Sequence, residues 1–387
     1  MKWIAKTLFG LEQVLADELT SLGVQEVEPL TRAVAFEGDD IAMFRVNLES
    51  RLSLKVLKPL FEYQALNIDE YYHALYKHAW TREFGRAKTF AVQVTTSSKV
   101  FYHSKFMILK TKDAIVDHFR RHLGFRPNID RDNPDIRIEI HIRRNHVSVY
   151  LDTTGKSLHY RGYRTEKHAA PLNEVLAAGM IKLSGWDLKT PFYDGMCGSG
   201  TLLTEAAWMA MNRPPALDRE EFAFMKLPRF KKFDWEHTVR QAEKRIQPLD
   251  VEIQGSDVEG YAIKISGRHL KNAGVEGVTL KKTNFLQLEV DEPVHMMLNP
   301  PYGERIANRD IHDFYAKIGT HMKHALGGSK VWIISSELSA MKHIGLRPFR
   351  KFNLLNGALE CKFQGYELFD GKLKAHKSAN AEEQADQ

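Results

Sequence analysis

Phe90-Ala91-Val92-Gln93-Val94-Thr95 alternates apolar and polar positions with a period of two and predicts a strand. Helical spacing follows at residues 105–123, and residues 136–142 and 146–151 alternate again. Nearer the start, residues 3–8 and 33–37 bracket a helical stretch at 11–22. Beyond residue 190 the pattern changes. Short apolar runs now end in polar residues: Pro191-Phe192-Tyr193 before Asp194, residues 251–256 before Asp257, Val278-Thr279-Leu280 before Asn284, and Val294-His295-Met296-Met297-Leu298 before Asn299. Buried strands separated by helical patterns predict an open α/β sheet, in which ligands gather outside the carboxyl ends of the strands.

The first of these runs opens into Asp194-Gly195-Met196-Cys197-Gly198-Ser199-Gly200-Thr201 and then a helical pattern starting at Leu202. Gly198 and Gly200 let the backbone approach a ligand, and the helix start offers free N–H groups to an anionic part such as a carboxylate or phosphate. The pattern is not that of a dinucleotide site, since the full fingerprint puts a third glycine where Leu203 stands. Asp257 sits where an acid binds ribose hydroxyls in doubly wound sheets, and the Asn284 amide is placed to read an adenine edge.

Asn299-Pro300-Pro301-Tyr302 suits a flat exocyclic amine. Such a nitrogen is a poor nucleophile because its lone pair is delocalised into the ring. The Asn299 side-chain oxygen and the Pro300 carbonyl can each accept one amine hydrogen, drawing the nitrogen toward tetrahedral geometry. The prolines fix φ and push the preceding residues toward extended backbone. Tyr302 offers an aromatic face to an unstacked base. Together these residues describe a methyltransferase site for a nucleobase amine.

Composition limits the rest. The 387 residues, 43% hydrophobic and 27% charged, suffice for two or three domains. Cys197 and Cys361 are the only cysteines, which argues against a disulfide framework or zinc ribbon and for a reducing cytoplasm. No apolar run nears the roughly 18 residues of a membrane helix, so no membrane partner is expected. Charge is uneven: residues 86–168 carry 17 Lys and Arg against 8 Asp and Glu, in a chain whose net charge is +6. Lys105, the Arg120-Arg121-His122 cluster, Arg143-Arg144 and Tyr160-Arg161-Gly162-Tyr163-Arg164 lie there and suit phosphates and unstacked bases. His118 and His122 share a helical face without a third ligand, and like His321 and His324 they are read as surface or RNA-contacting residues; no metal is expected.

The set Asp194 to Thr201, Asp257 and Asn299 to Arg305 resembles the class I S-adenosylmethionine-dependent RNA methyltransferases that carry a THUMP domain, in particular the large-subunit rRNA guanine-N2 methyltransferases. The likeness runs from Ala5 to about Phe369. It implies an α/β fold, with a C-terminal Rossmann-like class I methyltransferase sheet preceded by an α+β ferredoxin-like plus THUMP module. The expected domains are a ferredoxin-like domain at 1–60, THUMP at 61–160, the methyltransferase domain at 161–370 and a disordered tail at 371–387.

By position, the resemblance implies that S-adenosyl-L-methionine is held by Asp194, Gly195, Gly198, Ser199, Gly200, Thr201, Asp257, Asn284 and Asn299. It makes Asn299, Pro300, Pro301 and Tyr302 the catalytic pocket. Lys105, Arg120, Arg121, Arg143, Arg144, Arg161 and Arg164 become RNA contacts, the RNA being 23S rRNA or a ribosome-assembly intermediate. The segment His168-Ala169-Ala170-Pro171-Leu172-Asn173 matches the family's run before the first strand. Three departures stand out. Gly195 occupies a position where proline is more usual, loosening the loop but keeping its backbone donors. Asn284 replaces a common aspartate. Residues 212–248 form an inserted helical excursion, in which Phe222, Phe224, Phe230, Phe233 and Trp235 are expected to pack rather than face RNA. The motifs alone leave open adenine-N6 or tRNA guanine-N2 methylation, a non-catalytic RNA-binding assembly factor and, at a distance, a dinucleotide oxidoreductase.

Overall fold

The computed structural model describes residues 1–165, 172–301 and 311–369. Two compact units emerge: residues 1–7, 15–160 and 216–241 form one, and residues 8–14, 161–215 and the chain from 242 onward form the other.

The first unit contains β1 (Lys2–Lys6), α1 (Glu12–Ser21), β2 (Gln25–Leu30), β3 (Ala33–Glu37), α2 (Asp40–Glu49) and β4 (Lys55–Gln64). It continues with α3 (Ile68–Lys77), α4 (Trp80–Glu83), β5 (Phe90–Ser97), α5 (Ser104–Leu123), β6 (Ile136–Arg143) and β7 (His146–Asp152). The strands expected from alternation fall where the pattern puts them, because each buries one face. All seven form a single sheet in the order β2-β3-β1-β4-β7-β6-β5. β4 joins its halves: Leu57 is paired with Ile4 of β1 on one side and with Asp152 of β7 on the other. Residue 60 therefore lies inside a continuous strand, and the parts expected as ferredoxin-like and THUMP domains share one sheet. A charged network fixes the register across the seam. Lys55 Nζ reaches Glu139 at 2.6 Å and Asp152 at 2.7 Å, and Lys6 Nζ reaches Glu139 at 3.0 Å.

The inserted excursion leaves the second unit and completes the first. Phe224, Phe230 and Trp235 gather round Phe44 of α2, with ring centroids 4.7, 6.0 and 5.9 Å away, and Phe222 stacks on Phe224 at 5.0 Å. Phe233 is the exception and is 72% exposed. His118, expected at the surface, is buried on α5 and its Nδ1 lies 2.9 Å from the Tyr76 carbonyl. Burial holds its pKa below the usual histidine range.

The second unit comprises α6 (Glu174–Ser184), β8 (Phe192–Asp194), α7 (Thr201–Ala210), β9 (Ile253–Asp257), α9 (Gly260–Asn272), β10 (Val278–Lys282), β11 (His295–Leu298), α10 (Ile311–Ala325), β12 (Lys330–Ser335), β13 (Arg350–Asn356) and β14 (Leu359–Glu367); α8 (Lys232–Glu243) closes the excursion between α7 and β9. Its sheet runs β10-β9-β8-β11-β12-β14-β13, parallel from β10 to β12, with β14 antiparallel to both neighbours. β8 and β11 are buried at every residue, as expected of central parallel strands covered on both faces. Edge strand β10 ends in exposed Lys281 and Lys282, which discourage further strand pairing. α7 is buried at all ten positions. A helix with no solvent face must find partners for its polar residues internally, and Glu205 Oε1 accepts from Arg161 Nε at 3.1 Å.

His321, on α10, lies edge-on to Phe285 with ring centroids 5.1 Å apart rather than standing clear at the surface. No described helix is long and apolar enough to cross a membrane.

Candidate active site

Strand order reverses beside β8, since the chain proceeds to β9 and β10 on one side and to β11 and β12 on the other. The crevice outside the carboxyl ends of β8 and β11 is thus the expected ligand position. Asp194 is paired in register with Met297, so the glycine loop and Asn299 leave neighbouring strands at nearly the same level. Asp194 pairs on its other side with Gly255, two residues before Asp257.

The loop is held from several directions. Gly198 and Gly200 adopt φ of 52° and 75°, in the left-handed region that side chains disfavour. The Gly198 N–H donates to Asp257 Oδ2 at 2.9 Å, and the Glu259 N–H donates to Asp257 Oδ1 at 2.9 Å. Asp257 therefore ties β9 to the loop. Each oxygen retains lone-pair capacity for a hydroxyl. From α9, Ser266 Oγ donates to the Gly198 carbonyl at 2.7 Å, and His269 Nδ1 lies 2.9 Å from the Ser199 carbonyl. Arg164 Nη2 donates to Thr201 Oγ1 at 2.6 Å and to the Leu172 carbonyl, while Nη1 lies 3.2 Å from Glu174. With its carbonyls held from behind, the turn can present N–H groups at the start of α7, where no side chain caps the helix.

Some expected roles are corrected. Gly195 does not loosen the loop: its N–H donates to the Met297 carbonyl at 3.1 Å, and a Cβ there would meet Leu298 at 2.6 Å. That donor is already used between strands, so Gly195 shapes the site through packing. Arg161 is buried against Glu205, with both side chains at 0% exposure, and Arg164 braces the loop from within the unit; neither belongs to an RNA-facing surface. Lys105, Arg120, Arg121, Arg143 and Arg144 are exposed. The missing third glycine is also accounted for. Gly255, on β9, supplies the close approach, because a Cβ there would lie 2.4 Å from Leu203. Ser266 and His269 escaped sequence reasoning, since a serine and a histidine on an amphipathic helix carry no distinctive spacing.

At the other wall, Asn299 follows β11 and is half-buried, with Pro300 buried behind it. Its Oδ1 is buried and has no hydrogen-bond partner among the described residues. A buried amide oxygen without a partner is costly, and an amine donor arriving in the crevice relieves the cost. Asn284 is exposed and caps a short turn by accepting the Leu286 N–H at 3.1 Å, which leaves the second Oδ1 lone pair and the amide hydrogens for an adenine edge. Tyr302 and residues 168–171 lie outside the described residues.

Burial raises the Asp194 carboxyl to a pKa of about 8, opposed by the Met196 N–H and assisted by the Asp257 charge. Its folded pKa exceeds its unfolded one, so between roughly pH 4 and 8 the native state holds the extra proton and stability falls as pH rises. Urea unfolding of the ligand-free protein at pH 5 and pH 8 is expected to show Asp194→Asn gaining on the parent at the higher pH. An identical pH dependence in both proteins contradicts the assignment.

Residues 161–364 match the RMKL-like methyltransferase domain family, residues 65–152 the THUMP domain family and residues 2–57 the RlmL ferredoxin-like domain family. The sequence is 36% identical over 372 residues to a candidate RNA methyltransferase of Synechocystis sp., covering 95% of this chain and 97% of that one. It is 33% identical over 367 residues to the ribosomal RNA large subunit methyltransferase K/L of Shewanella sp. (strain W3-18-1), covering 93% of this chain and 52% of the relative, so the chain spans about half that relative's length. A crystal structure of a candidate methyltransferase complexed with SAH superposes with a TM-score of 0.86 at 26% identity, covering 96% of this chain and 99% of that one.

Proposed function

The chain belongs to the RMKL-like methyltransferase family, and from that premise we propose that it methylates the exocyclic N2 of a guanosine in large-subunit (23S) rRNA, with S-adenosylmethionine as donor. The carrying observation is the unpartnered Asn299 Oδ1, one strand away from the glycine loop. Bound S-adenosylmethionine supplies an electrophilic methyl group on a sulfonium, already a good leaving group.

The protein's task is then positioning and polarisation. Asp257 takes the ribose hydroxyls, the start of α7 and Asp194 face the methionine part, and Asn284 takes the adenine edge. Asn299 Oδ1 and the Pro300 carbonyl accept the two N2 hydrogens, so the nitrogen lone pair points at the methyl carbon. In the transfer that this donor would supply, Asn299 and Pro300 would hold the amine while it exchanged one proton for the methyl group, and water would take that proton. No strong base is needed. The THUMP part, with exposed Lys105, Arg120, Arg121, Arg143 and Arg144, holds the RNA backbone.

The pocket reads an amine rather than a particular purine, so product analysis decides the base. The chain is incubated with isotopically labelled S-adenosylmethionine and total RNA from a strain deleted for its gene, the 23S rRNA and tRNA are separated, and the nucleosides of each are identified by mass spectrometry. N2-methylguanosine is the expected product. N6-methyladenosine overturns the choice of base, and label confined to tRNA overturns the choice of RNA.

A further inference from the structure

The first unit carries a surface that the methyl-transfer site does not use. Along its outer edge, β5 is the last strand of the sheet and α5 packs beside it, leaving two adjoining grooves that share Lys105 and Leu109. Large apolar side chains stand in the open there: Tyr102 is 75% exposed, Val100 48%, Leu109 45% and Phe106 41%. Monomeric proteins rarely leave such a cluster uncovered without a use.

Charge identifies the occupant. Lys105, Lys112, Arg131 and His103 line the two grooves, and neither lining includes an aspartate or glutamate. Lys112 leans toward Asp113 at 3.1 Å just outside. Lys110 lies 5.8 Å from the Phe106 ring centroid, so a cation already sits over an exposed aromatic face. Duplex RNA presents phosphates and 2′-hydroxyls, which need cations but no aromatic platform. Flat rings interleaved with lysines fit bases that have left their stack, with the phosphates of the same strand lying on the cations.

We propose that the β5–α5 groove holds an unpaired segment of the RNA substrate, with bases stacked on Tyr102 and Phe106 and backbone on Lys105 and Arg131. The inference rests on the reading of the chain as an RNA methyltransferase and names the form of RNA its THUMP part takes. A duplex near the target would then be anchored through a flanking single strand, bulge or end rather than gripped along its helix.

The test is fluorescence anisotropy of the full chain with a labelled single-stranded RNA 12-mer and with a blunt duplex of the same sequence, over a range of salt. The parent is expected to prefer the single strand. Tyr102→Ala and Phe106→Ala should each weaken that binding by about tenfold with the salt slope unchanged, whereas Tyr102→Phe should keep the affinity. Lys105→Ala should lower the salt slope by about one. The groove assignment is overturned if both aromatic variants bind the single strand like the parent, or if duplex binding suffers equally. Because binding is read without turnover, the result is independent of the proposed product: a chain that binds single strands through Tyr102 but makes no N2-methylguanosine fails only the proposed function. Cofactor binding by each variant, measured by calorimetry, should match the parent and shows that the fold is kept.

Discussion

Asn299→Ala is expected to slow single-turnover methyl transfer, measured at saturating cofactor, by roughly a hundredfold to a thousandfold. The argument begins with β11. Its four residues are buried, and its register beside β8 brings Asn299 out of the sheet next to the cofactor loop. The side-chain oxygen is buried without a partner among the described residues, so it stabilises none of them through a hydrogen bond. Alanine should therefore leave stability unchanged or slightly improved. What disappears is an acceptor placed in advance where the amine must gain tetrahedral character, and a missing preorganised hydrogen bond appears in the chemical step. Asn299→Asp keeps an acceptor and should fall between the two. Full activity in Asn299→Ala, with normal cofactor binding, would remove this residue from the chemistry.

The sequence carried the parts of this picture that depend on local pattern. Period-two alternation located β5, β6 and β7 because each buries one face, and the glycine loop was legible because a strand-to-helix turn near a ligand needs residues without side chains. Pairing across distance was not legible. Nothing in the ten residues of β4 shows that both of its edges are taken, so the ferredoxin-like and THUMP parts read as separate modules. Nor does the excursion reveal its destination, since Phe224 and Trp235 find Phe44 far earlier in the chain. Arg161 and Arg164 are opaque in the sequence for the same reason. Beside Tyr160 and Tyr163 they look like a basic surface, and only folding supplies Glu205 and Glu174. Local sequence shows a charge but not its distant partner.

The buried Arg161–Glu205 pair is where one substitution should harm stability most. Glu205→Ala is expected to destabilise the chain by about 3–5 kcal/mol, because removing one member of a buried ion pair takes a counter-charge away from the other. Glu205 lies on α7, which has no exposed position, and its carboxylate is 3.1 Å from Arg161 Nε. Water cannot readily replace it. The same helix begins at the glycine loop, so partial unfolding here should also weaken cofactor binding. A lost ion pair differs from a lost volume in its response to a second change. If charge is the cause, replacing both partners by apolar residues of similar size, Arg161→Met with Glu205→Leu, should recover most of the stability that Glu205→Ala loses. If the cavity is the cause, Glu205→Gln should restore stability almost completely, since it fills the same space without the charge. Urea midpoints for the three variants separate these cases, and a loss below about 1 kcal/mol in Glu205→Ala would mean that the buried pair contributes no more than an exposed one.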